Sequence, residues 1–585
     1  MANQMRATVF RHPEIGSFFQ AQPKLENPFI ADGFLRRTLI RMLPAEIYEV
    51  VSKDLTRFGE RVRNELEPLA DQCEKNPPYL TQFSPWGKRV DDIVTCDAWK
   101  TMKKVAAEEG IVAIGYDKQY GEYKRLYQFA KSLLFTPSSG LYSCPIAMTD
   151  GAAKTIQTLG IKKLDFAFKR LTSRDPSEFW TSGQWMTERG GGSDVGTGTE
   201  TVAIPKSDGK YTLHGYKWFS SATDSDMAIT LARVANSDGT VNPGSSGVSM
   251  FFLKTRNDDK NGSLNNIQVM KLKNKLGTRQ LPTGELLLDG TEAELISDFG
   301  RGIPSITPML TSTRIQNATA SVSGMRRILN LARDYSKRRV CFGLPIAKYP
   351  LHINTMAQLE LETRGGTSLL METVRMLGRS EEGTNEPDEE HILRLLTPVL
   401  KLYTAKKGMS VMSEGLELFG GQGYIEDTGI PKHFRDAQVL PIWEGTTNIL
   451  SLDVLRAIGK SKGETLNAFE RNLKKRLKQS ETARPELSSS VSSVGNQLDK
   501  LIRTLREHLV QESAARLYAF AIGDVAIGTF LLEHAASKAA DKTDLTAAIR
   551  WAQHIPKFEE LLARHETQPD TDSNELVFDC YENTD

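Results

Sequence analysis

Hydrophobic residues recur at helical spacing towards both ends of the chain and at strand spacing between them. From Pro44 to Asn76, apolar residues repeat every three or four positions with charged residues between them, which predicts a long amphipathic helix. Prolines interrupt the first 45 residues, so this stretch is predicted to be irregular and to wrap over the domain that follows. Further helical patterns make the N-terminal third mostly helical, and they cover residues 97–109, 122–134 and 151–159.

The hydrophobic period changes near Trp180. The segments that follow are short, rich in β-branched or aromatic residues, and separated by turns of Gly, Asp, Asn and Pro. This pattern predicts a compact antiparallel β domain, at the spacing of a small sandwich or barrel. The predicted strands cover residues 183–186, 211–218, 227–234, 247–254, 267–272 and 285–288.

Helical periodicity returns near Pro304 and continues towards the end of the chain. Three long helices are predicted first, and the third should end at the Gly420-Gly421 pair because glycine is common at helix C-termini. A further helical region reaches Glu566, with a Ser-rich hinge at 488–493, and the polar tail after Thr567 is expected to be disordered. The three long helices cover residues 306–338, 351–379 and 391–419.

The most apolar stretch runs from Leu517 to Leu532 and contains one charge, Asp524. It is shorter than the about 20 residues that cross a bilayer, so it predicts a buried helix. Gly523 and Gly528 lie within it and are expected to be points of close packing.

The order of helices, strands and helices predicts an α+β multidomain fold with separate layers, because alternating βαβ units are missing from the pattern. The predicted units are an N-terminal extension, a helical domain, a middle β domain, a C-terminal helical domain and an additional helical domain with a polar tail. They cover residues 1–45, 46–180, 181–303, 304–460 and 461–585.

Composition changes this picture little. The chain has 585 residues, 39% of them hydrophobic, and a formal net charge of +1, so its bulk charge favours neither nucleic acid nor an anionic membrane. The region from Lys460 onward is mildly acidic, which makes nucleic acid an unlikely partner. Five scattered cysteines without ligand spacing predict free thiols in a reducing compartment and no metal site.

Targeting patterns leave the compartment open. The N-terminus has no apolar signal-peptide core, and Arg6 and Arg11 with few acids give a faint resemblance to a mitochondrial presequence. We therefore expect the cytoplasm or the mitochondrial matrix, with the chain neither secreted nor transmembrane.

One short loop, PIWEGTTNIL at 441–450, places a carboxylate in an unusual position. Glu444 lies between the apolar pair Ile442-Trp443 and a turn that leads into a helical pattern. The turn residues Thr446, Thr447 and Asn448 are types that cap helix N-termini through their side-chain oxygens. Two interpretations stay open: an acid stabilised by the helix dipole, or a general base beside a cofactor.

A glycine-rich segment, MTERGGGSD at 186–194, begins the β domain. Its glycines and hydroxyls can contact a polar ring or a pyrophosphate closely, although a mobile hairpin is an equal alternative. It is neither a P-loop nor a dinucleotide-binding GxGxxG. Trp218 fits either the core or a flavin stack, and Arg314 fits either a ligand contact or a surface ion pair.

Together these motifs resemble the flavin-dependent acyl-CoA dehydrogenase family over about residues 45–460. The helical appendix and the segment at 275–285 resemble the AidB-like branch of that family. The motifs, in the family's order and spacing, are MTERGGGSD at 186–194, KWFS at 217–220, Arg314, RVCFG at 339–343, ELFGGQGY at 417–424, RDA at 435–437 and WEGT at 443–446.

The resemblance implies FAD as cofactor and assigns residues to it. Some would meet the flavin from the β domain: Gln184, Met186, Thr187, Gly192, Ser193, Trp218 and Ser220. Others would reach the FAD of a neighbouring subunit: Arg339, Cys341, Phe342, Glu417, Leu418, Phe419, Gly420 and Gly421. Thr446 and Asn448 would close on the flavin from the loop, and the acyl-CoA would meet Ser193, Arg314 and Gly445.

Three positions depart from the family pattern. Cys341 stands where the family often has Thr, Glu417 where it has Gln, and Tyr349-Pro350 where it has His-Gln. A carboxylate at Glu417 would repel a pyrophosphate unless it turns away or pairs.

The implied reaction is α,β-desaturation of a fatty acyl-CoA. Glu444 would take the α-proton while the β-carbon gives hydride to flavin N5, and desolvation beside Trp443 and the acyl chain would strengthen this base. The alternative is an acyl-CoA-sequestering protein with little turnover. Expected partners are fatty acyl-CoA, an electron-transfer flavoprotein as acceptor, and further copies of the chain in a homodimer or homotetramer, with no membrane; the acyl length stays open.

Overall fold

The computed structural model describes residues 21–258, 262–507, 511–566, 570–579 and 581. Helical regions enclose a central β domain on both sides along the chain, which confirms the predicted fold class. Residues 1–20, Cys580 and the start of the tail at 567–569 lie outside the described residues.

The N-terminal region is helical, with one unpredicted hairpin. The break predicted at Asn76 is confirmed, since α3 ends at Lys75. The stretch before Pro44 is not wholly irregular, because Asp32 caps a helix there by accepting from the Leu35 amide at 3.0 Å. The elements are α1 (Gly33–Met42), α2 (Ala45–Arg61), α3 (Glu67–Lys75), β1 (Tyr79–Phe83), β2 (Arg89–Val94), α4 (Asp97–Glu108), α5 (Lys124–Phe135), α6 (Ser143–Leu159) and α7 (Asp165–Leu171).

The β domain is a mixed barrel, so the prediction of an antiparallel domain was wrong in two pairings. Strand β6 pairs in parallel with both β3 and β4, because a long loop and a short helix carry the chain across from β3 before β4 begins. The remaining pairings are antiparallel, and β4, β5, β9, β7 and β6 close a ring. The elements are β3 (Ser182–Trp185), α8 (Val195–Gly198), β4 (Val202–Pro205), β5 (Tyr211–Ser221), β6 (Met227–Val234), β7 (Val248–Lys254), β8 (Ile267–Leu272) and β9 (Thr283–Leu295).

The third region contains the three long predicted helices, joined by a small hairpin. Helix α12 ends at Glu417, and Gly420, with a φ of +59°, turns the chain just after it. The elements are α9 (Gly302–Ser305), α10 (Thr307–Arg338), β10 (Val340–Cys341), β11 (Leu344–Pro345), α11 (Pro350–Glu382), α12 (Glu389–Glu417), α13 (Pro431–Ala437) and α14 (Thr447–Lys460).

The C-terminal appendix is a further helical bundle packed on α11 and α12. The Ser-rich stretch at 488–493 is the start of a helix and not a hinge, because Val491 and Val494 face the core and anchor it. The polar tail also contains a short helix. The elements are α15 (Glu464–Ala483), α16 (Ser488–Glu507), α17 (Ala515–Ala536), α18 (Lys542–His554), α19 (Phe558–Glu566) and α20 (Asp570–Val577).

Helix α17 confirms the predicted buried helix. Together with the turn before it, the helix is long and apolar enough to cross a membrane, yet 83% of its most apolar window is buried inside the protein. A Cβ added to Gly523 would lie 2.6 Å from the Tyr403 ring, and one on Gly528 would lie 3.0 Å from Val494. Both glycines are therefore points of close packing, as predicted.

Candidate active site

A cavity of about 480 Å³ opens where the N-terminal helices, the β domain and the third region meet. Glu444 and Gly445 form part of its wall, together with Arg314 of α10. A volume of this size is typical of small-molecule sites. The β-domain wall brings together six of the predicted cofactor residues: Gln184, Met186, Thr187, Gly192, Ser193 and Trp218.

Glu444 is held in the cavity by backbone geometry and by one hydroxyl. Its φ is +57° and that of Gly445 is +100°, so the chain turns sharply at the carboxylate. A positive φ is rare outside glycine and marks a residue that its surroundings constrain. The Thr313 hydroxyl donates to Glu444 Oε2 at 2.6 Å. The carboxylate is thus oriented by a neutral donor.

Lys401 of α12 supports the same turn from behind. Its side chain is fully buried, and its Nζ donates to the Gly445 carbonyl at 2.7 Å. Burial lowers the pKa of Lys401 to about 7, against the opposing pull of the Glu444 charge. Sequence reasoning missed both Lys401 and Thr313. The signal for Lys401 was a charge at a core position between Leu400 and Leu402.

The helix after the loop is not capped as predicted. Thr446 is the N-cap of α14, and among the described residues its side chain caps no amide. Thr447 is buried, while Asn448 Oδ1 accepts from Arg516 Nη1 at 3.1 Å. Thr446 and Asn448 are exposed and lie outside the cavity wall, so the structure does not bring them to the predicted flavin site.

Arg314 is both a cavity residue and an ion-pair partner. Its Nη1 lies 2.9 Å from Asp453 Oδ2, and Arg394 pairs with the other oxygen of Asp453 at 2.7 Å. Its Nε has no hydrogen-bond partner within the described part of the chain. The surface ion pair considered from sequence is therefore a largely buried one that borders the cavity.

A buried ion pair anchors the glycine-rich segment. Glu188 accepts from Lys217 Nζ at 2.6 Å and from the Thr201 hydroxyl at 2.5 Å, and all three side chains are buried. Lys217 Nζ also donates to the Leu231 carbonyl at 2.9 Å, and burial lowers its pKa. The start of this segment is therefore fixed to the barrel, unlike the mobile hairpin considered as an alternative.

Ser220 departs from its predicted place. It is buried beside the cavity wall, and its neighbours Phe219 and Ser221 line the cavity instead. The register between β5 and β9 shifts between Lys217 and Ser220. Such an irregularity redirects the side chains that follow it, and the sequence does not reveal it.

The residues present fit a flavin ring. Gln184 Oε1, Ser220 Oγ and Trp443 Nε1 are buried polar atoms without a protein partner among the described residues. Buried polar atoms are normally hydrogen-bonded, so unpaired ones around a cavity indicate a polar ligand. Lys273 Nζ lies 3.3 Å from the centre of the Trp218 ring, so it already covers one part of that ring.

The second predicted cofactor group lies away from the cavity. Arg339, Cys341 and Phe342 belong to the β10–β11 hairpin, whose tip residue Phe342 is 98% exposed. The Tyr349 hydroxyl donates to the Cys341 carbonyl at 2.8 Å, so a residue that departs from the family pattern braces the hairpin. The structure does not join this group to the cavity of the same chain.

The turn after α12 contains five predicted cofactor residues, and their contact with the FAD of a neighbouring subunit stays a prediction. Leu418 and Phe419 are buried, and the Phe419 ring packs on Tyr335 with 5.1 Å between the ring centres. The helical period places the Leu418 and Phe419 side chains in the core, and the motif alone does not reveal this burial. Glu417, Gly420 and Gly421 are exposed.

Family models match almost the whole chain in consecutive segments. They are the AidB N-terminal domain at residues 22–174, the acyl-CoA dehydrogenase middle domain at 183–291, the acyl-CoA dehydrogenase C-terminal domain at 300–459 and the acyl-CoA dehydrogenase 11 C-terminal domain-like family at 464–578. The appendix is therefore a family domain in its own right.

Individual relatives agree with these matches. Acyl-CoA dehydrogenase family member 11 of Caenorhabditis elegans is 48% identical, over 98% of this chain and 95% of the relative. The AidB protein of Escherichia coli is 30% identical, over 75% of this chain and 79% of its own length. The crystal structure of C. elegans ACDH-11 in complex with C11-CoA has a TM-score of 0.92 and 46% identity, covering 99% of this chain and 100% of that one.

Proposed function

Since the chain belongs to the acyl-CoA dehydrogenase family, and is thus an FAD-dependent oxidoreductase, we propose that Glu444 is the base of an α,β-desaturation of fatty acyl-CoA. The observation that carries this proposal is that its carboxylate lines the same cavity as Met186, Thr187 and Ser193 of the β domain. A base on one side and an electron acceptor on the other is the arrangement that the reaction needs.

The chain's own residues account for the proton transfer. FAD, when bound against Gln184, Met186, Thr187 and the Gly192-Ser193 turn, supplies the acceptor for the hydride from the β-carbon. Glu444 removes the α-proton and holds it on a carboxylate oxygen. Thr313 orients the carboxylate from one side, and Lys401 fixes the backbone that carries it. The Trp443 ring lines the same cavity and adds apolar surface next to the carboxylate.

The decisive experiment measures the absorbance of the flavin under anaerobic conditions. Purified holoprotein is mixed anaerobically with acyl-CoAs of graded length, and the flavin absorbance is recorded. Rapid bleaching with one length class is expected. Tight binding with slow or absent bleaching would instead favour the sequestration of acyl-CoA, which the relative captured with C11-CoA keeps as a second candidate.

Replacing the base separates its chemistry from binding. In Glu444→Gln the amide oxygen can still accept from Thr313, so flavin and acyl-CoA should stay bound. Exchange of the α-proton with solvent should fall by about a thousandfold, within the range of general-base catalysis. Glu46→Gln removes an exposed carboxylate of α2, outside the cavity lining, and serves as the control. Unchanged exchange in Glu444→Gln would remove this residue from its role.

We further propose that the β10–β11 hairpin completes the FAD site of a second copy, in a homodimer or homotetramer, with an electron-transfer flavoprotein as acceptor. The support is an apolar tip that the single chain leaves uncovered: Val340, Phe342 and Leu344 are each at least half exposed. Phe342→Ser should weaken both assembly and FAD retention, measured by light scattering and by flavin content. A holoprotein that is monomeric before mutation would contradict this.

A further inference from the structure

The cavity extends along one face of α10, well beyond Glu444. Its lining residues on this helix recur every three or four positions, so they form a continuous stripe. At 1.5 Å per residue, the helix advances about 16 Å between Thr313, which holds Glu444, and Gly324. The stripe consists of Leu310, Thr313, Arg314, Gln316, Asn317, Ala320, Ser323 and Gly324.

The segment from α13 to the Glu444 loop runs antiparallel to this stripe. Thr313 bonds to Glu444, and one turn further Asn317 Nδ2 donates to the Leu440 carbonyl at 3.1 Å. His433 lies at the other end, close enough to Arg327 for that charge to lower its pKa. The cavity is thus a passage between α10 and the segment from α13 to the Glu444 loop, with the proposed reacting carbon at its Glu444 end.

Gly324 and Met412 meet at the far end of the passage. A Cβ added to Gly324 would lie 2.3 Å from Met412 Cε, with no other contact within 4 Å in the described structure. Both residues line the cavity. The methionine methyl therefore occupies the space that a side chain at position 324 would fill. Because the methionine side chain is flexible, its terminal methyl group can move aside when a ligand or a new side chain enters this space.

The charges near this end are already paired. Lys432 Nζ lies 2.5 Å from Asp71, and Arg327 Nη1 lies 2.5 Å from Glu67. Burial lowers the pKa of His433 to about 3, with Lys432 and Arg327 adding to the effect, so its ring is neutral at pH 7. An uncharged methyl end of an acyl chain fits here, whereas a second carboxylate would find no free cation among the described residues.

We propose that the passage takes a straight monocarboxylic acyl chain of on the order of twelve carbons, and that Gly324 with Met412 sets this limit. The length follows from the helix distance, since an extended chain advances about 1.2 Å per backbone bond, a third of the 3.3–3.6 Å per residue of a polypeptide. The proposal rests on the proposed function in one respect: the thioester must lie beside Glu444.

The test measures binding, so that it does not depend on turnover. Calorimetric titration of the holoprotein with butanoyl-, octanoyl-, dodecanoyl- and hexadecanoyl-CoA should show affinity rising about fourfold per added methylene, as buried methylenes give. The rise should stop near dodecanoyl-CoA, with hexadecanoyl-CoA bound at least tenfold more weakly. Dodecanedioyl-CoA, with a carboxylate at its far end, should also bind at least tenfold more weakly than dodecanoyl-CoA.

Two variants should move the limit in opposite directions. Gly324→Leu fills the end of the passage and should shift the optimum to octanoyl-CoA, and Met412→Ala opens it and should shift the optimum towards hexadecanoyl-CoA. If Gly324→Leu does not fold, Met412→Ala alone still tests the proposal. Met409→Ala, on the same helix but outside the cavity lining, is the control and should leave the optimum unchanged.

The possible failures are distinct. An optimum that stays in place in both Gly324→Leu and Met412→Ala, or affinity independent of chain length, would overturn the assignment of the limit while leaving the dehydrogenase proposal intact. A protein that shows the expected dependence of affinity on chain length but loses no proton exchange in Glu444→Gln would overturn the base and leave the limit standing. Failure to bind any acyl-CoA would overturn both.

Discussion

Glu372 and Glu444 each lie beside a cavity of this chain, but the side chains that donate hydrogen bonds to them differ in number and charge. Glu372 of α11 is fully buried and accepts from Arg41 at 2.6 Å, Arg375 at 3.0 Å and Arg476 at 3.1 Å. Burial would raise the pKa of Glu372, but these arginines, Arg476 foremost, outweigh it and hold the pKa well below its ordinary value. Glu444 instead accepts from a neutral hydroxyl and faces a cavity, and the nearby Lys401 donates to the Gly445 carbonyl.

The difference separates a structural carboxylate from a reactive one. The three arginines come from α1, α11 and α15, so Glu372 joins the N-terminal region, the third region and the appendix. A carboxylate with three cationic donors cannot readily take a proton. One donor at Glu444 orients the group and leaves an oxygen for the substrate. Pairing, and not burial alone, therefore distinguishes the two sites.

Replacing Glu372 should give the largest stability change of the variants considered. Glu372→Gln removes the counter-charge shared by the buried Arg476 and the part-buried Arg41 and Arg375, which should cost about 3–5 kcal/mol of unfolding free energy. Proton exchange per folded molecule should stay within about twofold of the wild type. Chemical denaturation and exchange measured on the same samples test this. The contrast would fail if Glu372→Gln lost exchange while keeping its stability.

Lys401→Met should give an intermediate effect, and this effect should be on proton exchange at the Glu444 site. Without the bond to the Gly445 carbonyl the turn can shift, and displacement of a catalytic group by about 1 Å can cost up to a hundredfold. We expect α-proton exchange to fall by about ten- to a hundredfold with acyl-CoA affinity preserved. Lys407→Met is the matched control, since Lys407 lies on the same helix and pairs with Glu362 at 2.8 Å.

The pH dependence of Lys401 gives a second readout. Its pKa is lowered to about 7 from 10.5, so between these values the unfolded chain binds more protons than the folded one. Unfolding free energy from this group therefore rises as the pH increases from about 7 to 10.5 and is flat below that window. Lys401→Met should lack this rise, and identical stability profiles in both proteins would contradict the assigned pKa.

The sequence predicted this site unevenly, for physical reasons. Glu444 and the 186–194 segment stand out because charge and glycine interrupt apolar patterns locally. The partners of Glu444 do not, because Thr313 and Lys401 lie 131 and 44 positions from the groups that they bind and belong to ordinary helical patterns. Ser220 was misplaced by a strand irregularity, and the parallel pairings of β6 depend on a crossover that hydrophobic spacing does not record.

The same limits apply to the fold. Helices α10, α11 and α12 were predicted because apolar residues recur over some thirty positions in each. The β1–β2 hairpin was missed because its strands are short and largely exposed, and β2 carries the charges Arg89, Asp91 and Asp92. The Ser-rich start of α16 was read as a hinge because serine favours turns, whereas burial of Val491 and Val494 overrides that local preference.

Arg516→Ala should give the smallest effect. It tests whether the appendix influences the Glu444 loop through its contact with α14, the helix that follows this loop. Arg516 Nη1 donates to Asn448 Oδ1 at 3.1 Å on the surface, at the start of α14. Exposed polar contacts contribute little, so unfolding free energy should change by less than about 0.5 kcal/mol. Proton exchange should change by less than about twofold, because the appendix is held to the third region through Glu372 and the packing of α17. A loss of exchange comparable to that of Lys401→Met, measured with the same acyl-CoA, would show instead that the appendix positions the Glu444 loop directly.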